Sequence, residues 1–411
     1  MGLFALLLPL AVAAVSGTVS TPDLDLILYG ATGCVGGIAA KHLADQPGLR
    51  WAIAGRNESK LRGLMSELAA LGGPSSKPAV IVAPLDGSTD PSTWVGRARA
   101  VITAAGPFSS HGGELLVKTC ARLGVHYADT SDEFYWQRRM VDGYDALARA
   151  TGARVVLASG FCAMAADTGA QLAIGRLTPR NHTDVWVDAW LERYNGGLSA
   201  GVLNTVKTMK NATYPKDWDT DPYVLVPDVD EALRVDTTVT GMGKGAWARH
   251  EGPVVQNLFG PYDARLLRRS FARLSQRVHL RVGAPPSMYA EWSAFLLEHP
   301  GSWSTLAKCP TPAILEGGRW RMRVRASAGG AGSAATVVLS GPGDPGYVFT
   351  ASGLAEGGLC LAGKTAGCLR KAVNGGVLTT AAALDTAVLQ RRLEAAGLMR
   401  LTSMDGLEIV V

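Results

Sequence analysis

The chain has 411 residues, of which 47% are hydrophobic and 18% are charged, and its formal net charge is +5. This length predicts two domains or one large domain with an insertion, and the composition is typical of a soluble protein with a sizeable core. The charge is mild, and the chain has neither a basic tail nor an alternation of aromatic and basic residues. Nucleic acid is therefore not an expected partner.

Residues 1–16 predict a hydrophobic leader. The apolar run FALLLPLAVAAV fills most of it, and small residues that would suit a cleavage site follow. The run is too short to span a bilayer comfortably, and no lysine or arginine precedes it. The leader is therefore either a secretory signal peptide, an organellar leader or an uncleaved membrane anchor.

The stretch 24–37, LDLILYGATGCVGG, predicts a strand, a phosphate-binding turn and a helix. Glycine lacks a Cβ, so it can make a tight turn, admit a pyrophosphate and let the helix pack closely on the strand. The helix N-terminus adds free N–H groups and a partial positive charge. The expected cofactor contacts are Gly30, Ala31, Thr32, Gly33, Cys34, Val35 and Gly36. The alternative is a glycine-rich turn that binds no nucleotide.

A second strand, WAIAG over 51–55, leads directly into Arg56 and Asn57. In a dinucleotide-binding domain this position faces the adenosine ribose, where an acidic residue would bind the hydroxyls of NAD. A guanidinium instead suits a 2′-phosphate, and Lys60 follows one helical turn later. We therefore predict NADP(H) as the cofactor, with Arg56 and Asn57 among its contacts.

Strands and helices continue to alternate up to about residue 165. Strand-like runs at 78–85, 100–105, 125–129 and 154–158 are separated by helical stretches that include 114–123 and 140–150. This order predicts a doubly wound parallel sheet, a Rossmann domain over 24–165. Ligands of such a sheet bind beyond the carboxyl ends of its strands, so Asp86, Gly106 and Pro107 are further expected cofactor contacts.

The hydrophobic period then changes from helical to alternating. Apolar and polar residues alternate over 185–192 and again over 319–326, and 335–339 is placed to pair with the second run. This pattern predicts an α+β domain over 166–350, built on a mixed or antiparallel sheet. Helical sequence from about 351 to 398 predicts a C-terminal helical segment, 351–411, that returns to the first domain.

Two clusters of polar residues each have two interpretations. At the end of the fifth strand, Tyr127 or Asp129 could act as a proton donor, or they could be a satisfied structural tyrosine and a capping aspartate. Arginines recur at helical spacing between Arg265 and Arg281. They indicate either a solvated helix face or a surface for anionic lipid head groups or an acidic substrate.

The six cysteines form no CxxC pair and no Cys/His metal spacing, so we predict no metal site. Cys34 lies in the predicted phosphate turn and Cys120 on a predicted helix of the parallel domain. Both are poor places for a disulfide framework. We therefore expect most of the cysteines to be small core residues.

These motifs resemble the saccharopine dehydrogenase-like oxidoreductases, a group that includes the trans-acting enoyl reductases of bacterial glycolipid assembly. The resemblance runs nearly end to end after the leader, through LILYGATGCVGG, WAIAGRNESKL, AAGPFSSHGGELLVKTCARLGVHYADTSDE and GDPGYVFTASGLAEGGLCLA. It implies NADP(H)-dependent hydride transfer to a lipid-linked carbonyl or enoyl substrate. It also implies association with the secretory pathway, a membrane or lipid droplets, and leaves a homodimer open. It supplies no catalytic residue.

The chain departs from this family at the domain junction. A polar GFDSIPSD segment reads GFCAMAAD over 160–167, which removes three polar side chains where substrate would sit, and the usual Phe of the phosphate turn is Cys34. These changes favour an alternative function, a membrane- or lipid-droplet-associated NADP(H)-binding protein without turnover. Saccharopine chemistry is a third hypothesis. It would require the arginines of 319–325 to face the cleft.

Overall fold

A computed structural model of the chain describes residues 21–178, 184–197, 207–240, 259–299, 309–328 and 333–403. The predicted leader lies outside these residues. The strands are β1 (Leu24–Tyr29), β2 (Trp51–Gly55), β3 (Ala79–Val82), β4 (Ala98–Thr103), β5 (His126–Asp129), β6 (Arg154–Val156), β7 (Val185–Asn195), β8 (Val278–Gly283), β9 (Arg319–Ala328), β10 (Ala334–Pro342), β11 (Gly376–Leu378) and β12 (Arg400–Ser403).

The described α-helices are α1 (Cys34–Ala44), α2 (Glu58–Leu71), α3 (Ser92–Val95), α4 (Gly113–Leu123), α5 (Phe134–Thr151), α6 (Phe161–Ile174), α7 (Gly260–Arg273), α8 (Pro286–Glu298), α9 (Pro312–Gly317), α10 (Thr350–Leu361), α11 (Thr380–Ala383) and α12 (Thr386–Ala395). A single π-helical turn, Pro345–Phe349, leads into α10.

The first sheet is parallel, in the order β11-β6-β5-β4-β1-β2-β3. Its strand order reverses between β1 and β4, and a doubly wound sheet binds its ligand at such a reversal. Every residue of β1 and β2 is buried, as expected when helices cover both faces. The predicted Rossmann fold is confirmed.

The second sheet is mixed, in the order β12-β10-β9-β7-β8. β7 runs parallel to β8 and antiparallel to β9, and β10 pairs antiparallel with β9, as predicted, with Val337 opposite Val324. Its buried face includes Trp320, Met322 and Val324, against which α6 packs. The two alternating runs therefore form strands of one sheet, as their period predicts.

The C-terminal segment is less purely helical than its sequence predicts. α10 returns to the first domain and packs on α1, β4 and β5. The segment also contributes a strand to each sheet, because β11 pairs with β6 and β12 pairs with β10. Both strands are short, at three and four residues, so the helical stretches around them conceal their signal.

The arginines at 265, 268 and 269 form neither a solvated helix face nor a lipid-binding surface. Arg265, Arg268 and Arg269 of α7 are buried, and β8 begins at Val278, so Arg281 lies on a strand. Arg269 donates to the carbonyls of Leu225 and Val377, and its guanidinium pairs with Asp145. These buried arginines connect α7 to distant segments of the chain. The interpretation of the series as a surface was therefore wrong for them.

Replacing Asp236 with asparagine is expected to lower the free energy of unfolding by about 3–5 kcal/mol. Its carboxylate lies 2.8 Å from the guanidinium of Arg268, which is 1% exposed, so the change leaves a buried cation without its counter-charge. Chemical denaturation measures the effect. Asp23→Asn breaks an exposed pair with Arg97 and should barely move the midpoint. Equal shifts in the two variants would contradict this account.

Two disulfides correct the prediction for the cysteines. Cys360 pairs with Cys368 inside the first domain, and Cys34 pairs with Cys309 across 275 residues of sequence. Cys120 and Cys162 are free. The long-range pair could not be expected from spacing, because only the folded chain brings Cys309 to the phosphate turn. Among the described residues, no helix combines the length and the apolar character that crossing a membrane requires.

Candidate functional site: a dinucleotide cleft

The turn between β1 and α1 has the geometry of a phosphate-binding loop. Gly30 has a positive φ of 77°, and a Cβ on Gly36 would lie 2.2 Å from the carbonyl oxygen of Gly30. Both positions therefore require glycine. The N-cap, Gly33, offers no capping side chain, so the first N–H groups of α1 have no partner in the helix and can bind an anion. The residues present fit a pyrophosphate.

The helix that carries this loop is held from behind by the C-terminal segment. Nε2 of His42, on α1, lies 2.6 Å from Oε1 of Glu356 on α10. The other oxygen of Glu356 accepts from Nε of Arg392 on α12, also at 2.6 Å. Glu356 is buried, so this chain of contacts fixes α1 against α10 and α12. The C-terminal segment thus supports the cofactor loop.

The expected ribose end of the site lies beyond β2 and β3. Arg56 is exposed and forms no ion pair within the part of the chain that the structure describes. Asn57 is the N-cap of α2, where its side chain accepts from the N–H of Lys60 at 2.9 Å. Asp86 is exposed and accepts from the backbone and hydroxyl of Ser88, which lowers the pKa of its carboxyl. Arg56 is thus left available to a phosphate.

Replacing Arg56 with alanine is expected to weaken NADPH binding by about 10- to 100-fold, because a charge-assisted hydrogen bond to phosphate contributes about 1.5–3 kcal/mol. NADH affinity should be unchanged, since NADH lacks the 2′-phosphate. Fluorescence titration of both cofactors measures the difference. The control is Arg62→Ala, which removes an exposed arginine of α2 that pairs with Glu58. Equal losses for NADPH and NADH would refute the role of Arg56.

The loop after β4 is held by one buried carboxylate. Glu133, 0% exposed, accepts from the N–H of Phe108 at 2.6 Å and from the N–H of Ser109 at 3.2 Å. The Gly106–Pro107 peptide that precedes them is cis, and Phe108 packs on Trp136. The expected nicotinamide end of the cleft therefore has a fixed backbone. No local sequence pattern indicates this role of Glu133.

Tyr127 and Asp129, at the end of β5, have the contacts of a structural pair. Tyr127 is fully buried, and its hydroxyl donates to Oδ2 of Asp129 at 3.0 Å. Oδ1 of Asp129 accepts from the N–H groups of Ser131 and Ala158, each at 2.9 Å. Burial raises the pKa of Asp129 to about 6 and that of Tyr127 well above its usual value. The carboxylate joins the ends of β5 and β6.

The GDPGY motif, residues 343–347, joins the two domains at their junction. Oδ2 of Asp344 accepts from the N–H of Gly197 beyond β7, and Oδ1 accepts from the N–H of Tyr347, at 2.6 and 2.9 Å. The hydroxyl of Thr350 accepts from the N–H of Phe161, at the start of α6, at 3.1 Å. The beginnings of α6 and α10 are therefore fixed together at the domain junction.

The apolar segment after Phe161 lies in the core. Ala163, Met164, Ala165 and Ala166 are all buried within α6, as is Asp167, whose Oδ2 accepts from the N–H of Ala381 at 2.8 Å. Cys162 is partly accessible. The apolar character of these four residues thus describes the packing of α6 and not the lining of the cleft.

A buried acid that the sequence did not reveal lies at the same junction. Asp263, in the first turn of α7, is 1% exposed, and neither of its carboxyl oxygens has a hydrogen-bond partner among the described residues. Burial raises the pKa of this carboxyl well above the usual value and so favours its protonated form. The sequence pattern noted at this position was the series of arginines, which favoured an exposed helix face.

The surroundings of Asp263 place it beyond the carboxyl ends of β5 and β6. The hydroxyl of the adjacent Tyr262 donates to the carbonyl of Ser131, which follows β5. Burial raises the pKa of the Cys162 thiol at the start of α6, and the nearby carboxyl groups of Asp263 and Asp132 raise it further. A buried carboxyl, a thiol and a phenol thus lie close together at the sheet edge where ligands of this fold bind.

The arginines of β9 do not point toward this cleft. Arg319 and Arg321 are exposed on the outer face of the second sheet, opposite the buried Trp320. They line an open groove of about 1010 Å³ together with Arg193 and Arg400. The condition for saccharopine chemistry, a basic face turned inward, is not met by these residues. Among the described residues, no group of three or more His, Cys, Asp or Glu side chains could hold a metal ion.

Parts of the chain are similar in sequence to known proteins. Residues 26–156 match the family model described as the saccharopine dehydrogenase NADP binding domain. A trans-acting enoyl reductase of Mycobacterium leprae is 34% identical over 216 residues, which cover 51% of this chain and 50% of that protein. A Mycobacterium tuberculosis protein provisionally named a trans-acting enoyl reductase is 27% identical over 92% of this chain and 97% of its own.

The matched region spans about half the length of the M. leprae relative. Among solved structures, apo saccharopine dehydrogenase (L-Glu forming) of Saccharomyces cerevisiae covers 92% of this chain and 99% of its own, at 11% identity and a TM-score of 0.45. The family match over 26–156 assigns NADP(H) as the cofactor, as Arg56 predicts. The individual cofactor contacts named from sequence stay predictions.

Proposed function

We propose that this chain, whose residues 26–156 belong to the saccharopine dehydrogenase NADP-binding domain family, is an NADP(H)-dependent oxidoreductase that reduces a lipid-linked enoyl or carbonyl group. Its relatives named as trans-acting enoyl reductases support a reductase. The observation that carries the proposal is the buried carboxyl of Asp263 at the domain junction, whose two oxygens have no hydrogen-bond partner among the described residues. A reductase needs both a hydride carrier and an acid there.

Bound NADPH supplies the hydride, and the protein's own residues position it and keep out water. The N–H groups at the start of α1 would hold the pyrophosphate, and Arg56 would hold the 2′-phosphate. Glu133 fixes the backbone of Phe108 and Ser109, so the loop that we expect beside the nicotinamide would not need to reorganise during reaction. The cleft is thereby ordered before substrate arrives.

Asp263 has the chemistry of the proton donor. Hydride addition to an enoyl or carbonyl group leaves negative charge on the substrate, and a proton must neutralise it. The substrate thus gains one hydride and one proton while NADPH becomes NADP⁺. A carboxyl whose pKa is raised by burial can hold and donate that proton, and it would regain one from solvent afterwards.

The cationic groups favour a substrate with few carboxylates. Several arginines would be needed to hold an amino-acid substrate with more than one carboxylate. The described arginines of α7 already donate to buried carbonyls and aspartates, and Arg319 and Arg321 lie on the outer face of the second sheet. This arrangement and the names of the relatives support a lipid-like enoyl or keto substrate. The apolar residues 163–166 no longer favour a protein without turnover, because they pack in the core.

Steady-state oxidation of NADPH by the full chain, against enoyl and keto lipids, tests this proposal. We expect NADPH consumption to match product formation, with NADH much less effective. Arg56→Ala should lose that preference. Tight NADPH binding without turnover on every substrate in the panel would overturn the enzyme proposal and favour a binding protein.

A further inference from the structure

One disulfide connects the cofactor loop to the second domain. Cys34 is the first residue of α1, in the loop that binds the pyrophosphate, and its partner Cys309 lies just before α9. Their Cα atoms are 5.2 Å apart across 275 residues of sequence. The backbone at Cys309 and Pro310 is therefore held at the rim of the phosphate site.

The two disulfides differ in their access to solvent. Cys309 is exposed and Cys34 is partly exposed, whereas both Cys360 and Cys368 are fully buried. Exchange begins with attack of a thiolate on an accessible sulfur, and it is faster when the leaving thiol has a low pKa. Cys34 lies at a helix N-terminus, which stabilises a thiolate. Attack on Cys309 with departure of Cys34 is therefore the favoured direction.

We propose that the Cys34–Cys309 disulfide is a thiol-exchange site that controls the entry and release of NADP(H) at the phosphate loop. Its reactants are small dithiols. One dithiol sulfur attacks Sγ of Cys309, the Cys34–Cys309 bond breaks, and Cys34 leaves as a thiolate. The second dithiol sulfur then displaces Cys309. The protein gains two electrons and two protons, and the dithiol becomes a disulfide, which can reverse the reaction.

The disulfide acts as a gate for NADP(H) because of the position that the pyrophosphate must occupy. It has to approach the backbone N–H groups at the start of α1, within a few bonds of Cys34 Sγ. In the oxidised protein the Cys309 backbone is bonded at that position and cannot move away. In the reduced protein it can separate from the loop and open the path. The inference rests on the NADP(H) site and not on substrate reduction.

Stopped-flow fluorescence of NADPH with the full chain tests the gate. We expect association and dissociation to be about tenfold slower in the oxidised protein than after treatment with dithiothreitol. In Cys309→Ser, NADPH association and dissociation should be fast without reductant and should not change when it is added. This result would also exclude an effect of the buried Cys360–Cys368 pair. Cys120→Ser, the change of a buried free cysteine, should keep the full response.

Thiol titration and mass mapping establish which cysteines are bonded in each sample. Equal rates in protein with the Cys34–Cys309 bond closed and open would overturn the proposal. So would purification of the protein from a non-reducing medium with both of these thiols free. If Cys309→Ser fails to fold, the oxidised and reduced wild-type chains still provide the comparison. Because the readout is binding, its failure is distinguishable from a lack of turnover.

Discussion

Replacing Asp263 with asparagine is expected to lower kcat for NADPH-dependent reduction by about 10²- to 10⁴-fold, the usual contribution of a positioned acid. NADPH affinity should not change, because Asp263 lies on α7 and outside the phosphate loop. The amide has nearly the same size as the carboxyl but cannot give up a proton. Single-turnover rates with saturating NADPH measure the loss.

Stability separates this catalytic role from a structural one. The carboxyl of Asp263 is buried without a hydrogen-bond partner among the described residues, so it does not stabilise the fold through such bonds. Asp263→Asn should therefore leave the midpoint of unfolding unchanged or raise it. Asp236→Asn should do the opposite, with a lower midpoint and little change in kcat. A fully active Asp263→Asn enzyme would exclude the carboxyl as the donor.

The pH profile gives an independent test of the same residue. Only the protonated carboxyl can donate, and burial raises its pKa well above the ordinary value. Activity should therefore be full below that raised pKa and fall as the pH rises through it. The asparagine variant should lose this limb of the profile. A rate that falls with decreasing pH instead would contradict the assignment.

Replacing Gly36 with alanine is expected to abolish NADPH binding and to destabilise the fold by about 3 kcal/mol, because the overpacking falls on backbone that cannot turn away. The added Cβ would lie 2.2 Å from the carbonyl oxygen of Gly30 and 2.9 Å from Cα of Ala31. Relief requires β1 and α1 to separate. Thermal unfolding and fluorescence titration measure the two effects.

Gly33→Ala is the matched control within the same loop. Its Cβ would lie 3.4 Å from the Gly30 carbonyl oxygen, and its φ of −77° is ordinary for alanine. We expect the free energy of unfolding to change by less than about 1 kcal/mol. NADPH affinity should still fall, because the methyl group occupies space beside the pyrophosphate. If Gly36→Ala bound NADPH normally, the phosphate-loop assignment would be wrong.

The cofactor end of the site could be predicted because its signals are local. Gly30, Gly36 and Arg56 lie within 27 positions of each other, and the strand–turn–helix order around them fixes their place in the fold. Asn57 caps α2 and the alternating runs form strands for the same reason, since short-range patterns determine both. This part of the fold can therefore be predicted from residues that are close together in the sequence.

The chemistry at the domain junction was not predictable in this way. The arginines of α7 resemble an exposed stripe, but Asp145 and Asp236 pair with them from distant segments, and the carbonyl of Val377 accepts a hydrogen bond from Arg269. Burial of Asp263 likewise depends on how α7 packs against α6. The partner of Cys34 is 275 residues away. Each of these features depends on long-range contacts that no local period encodes.

Transfer of label from NADPH deuterated at C4 of the nicotinamide tests the central claim most directly. The full chain, in a single turnover with an enoyl or keto lipid, should place one deuterium on a carbon of the reduced lipid and release NADP⁺ in equal amount. Mass spectrometry of the product detects it. Product without deuterium, or bound NADPH that stays unoxidised with every such lipid, would contradict an NADP(H)-dependent hydride transfer by this protein.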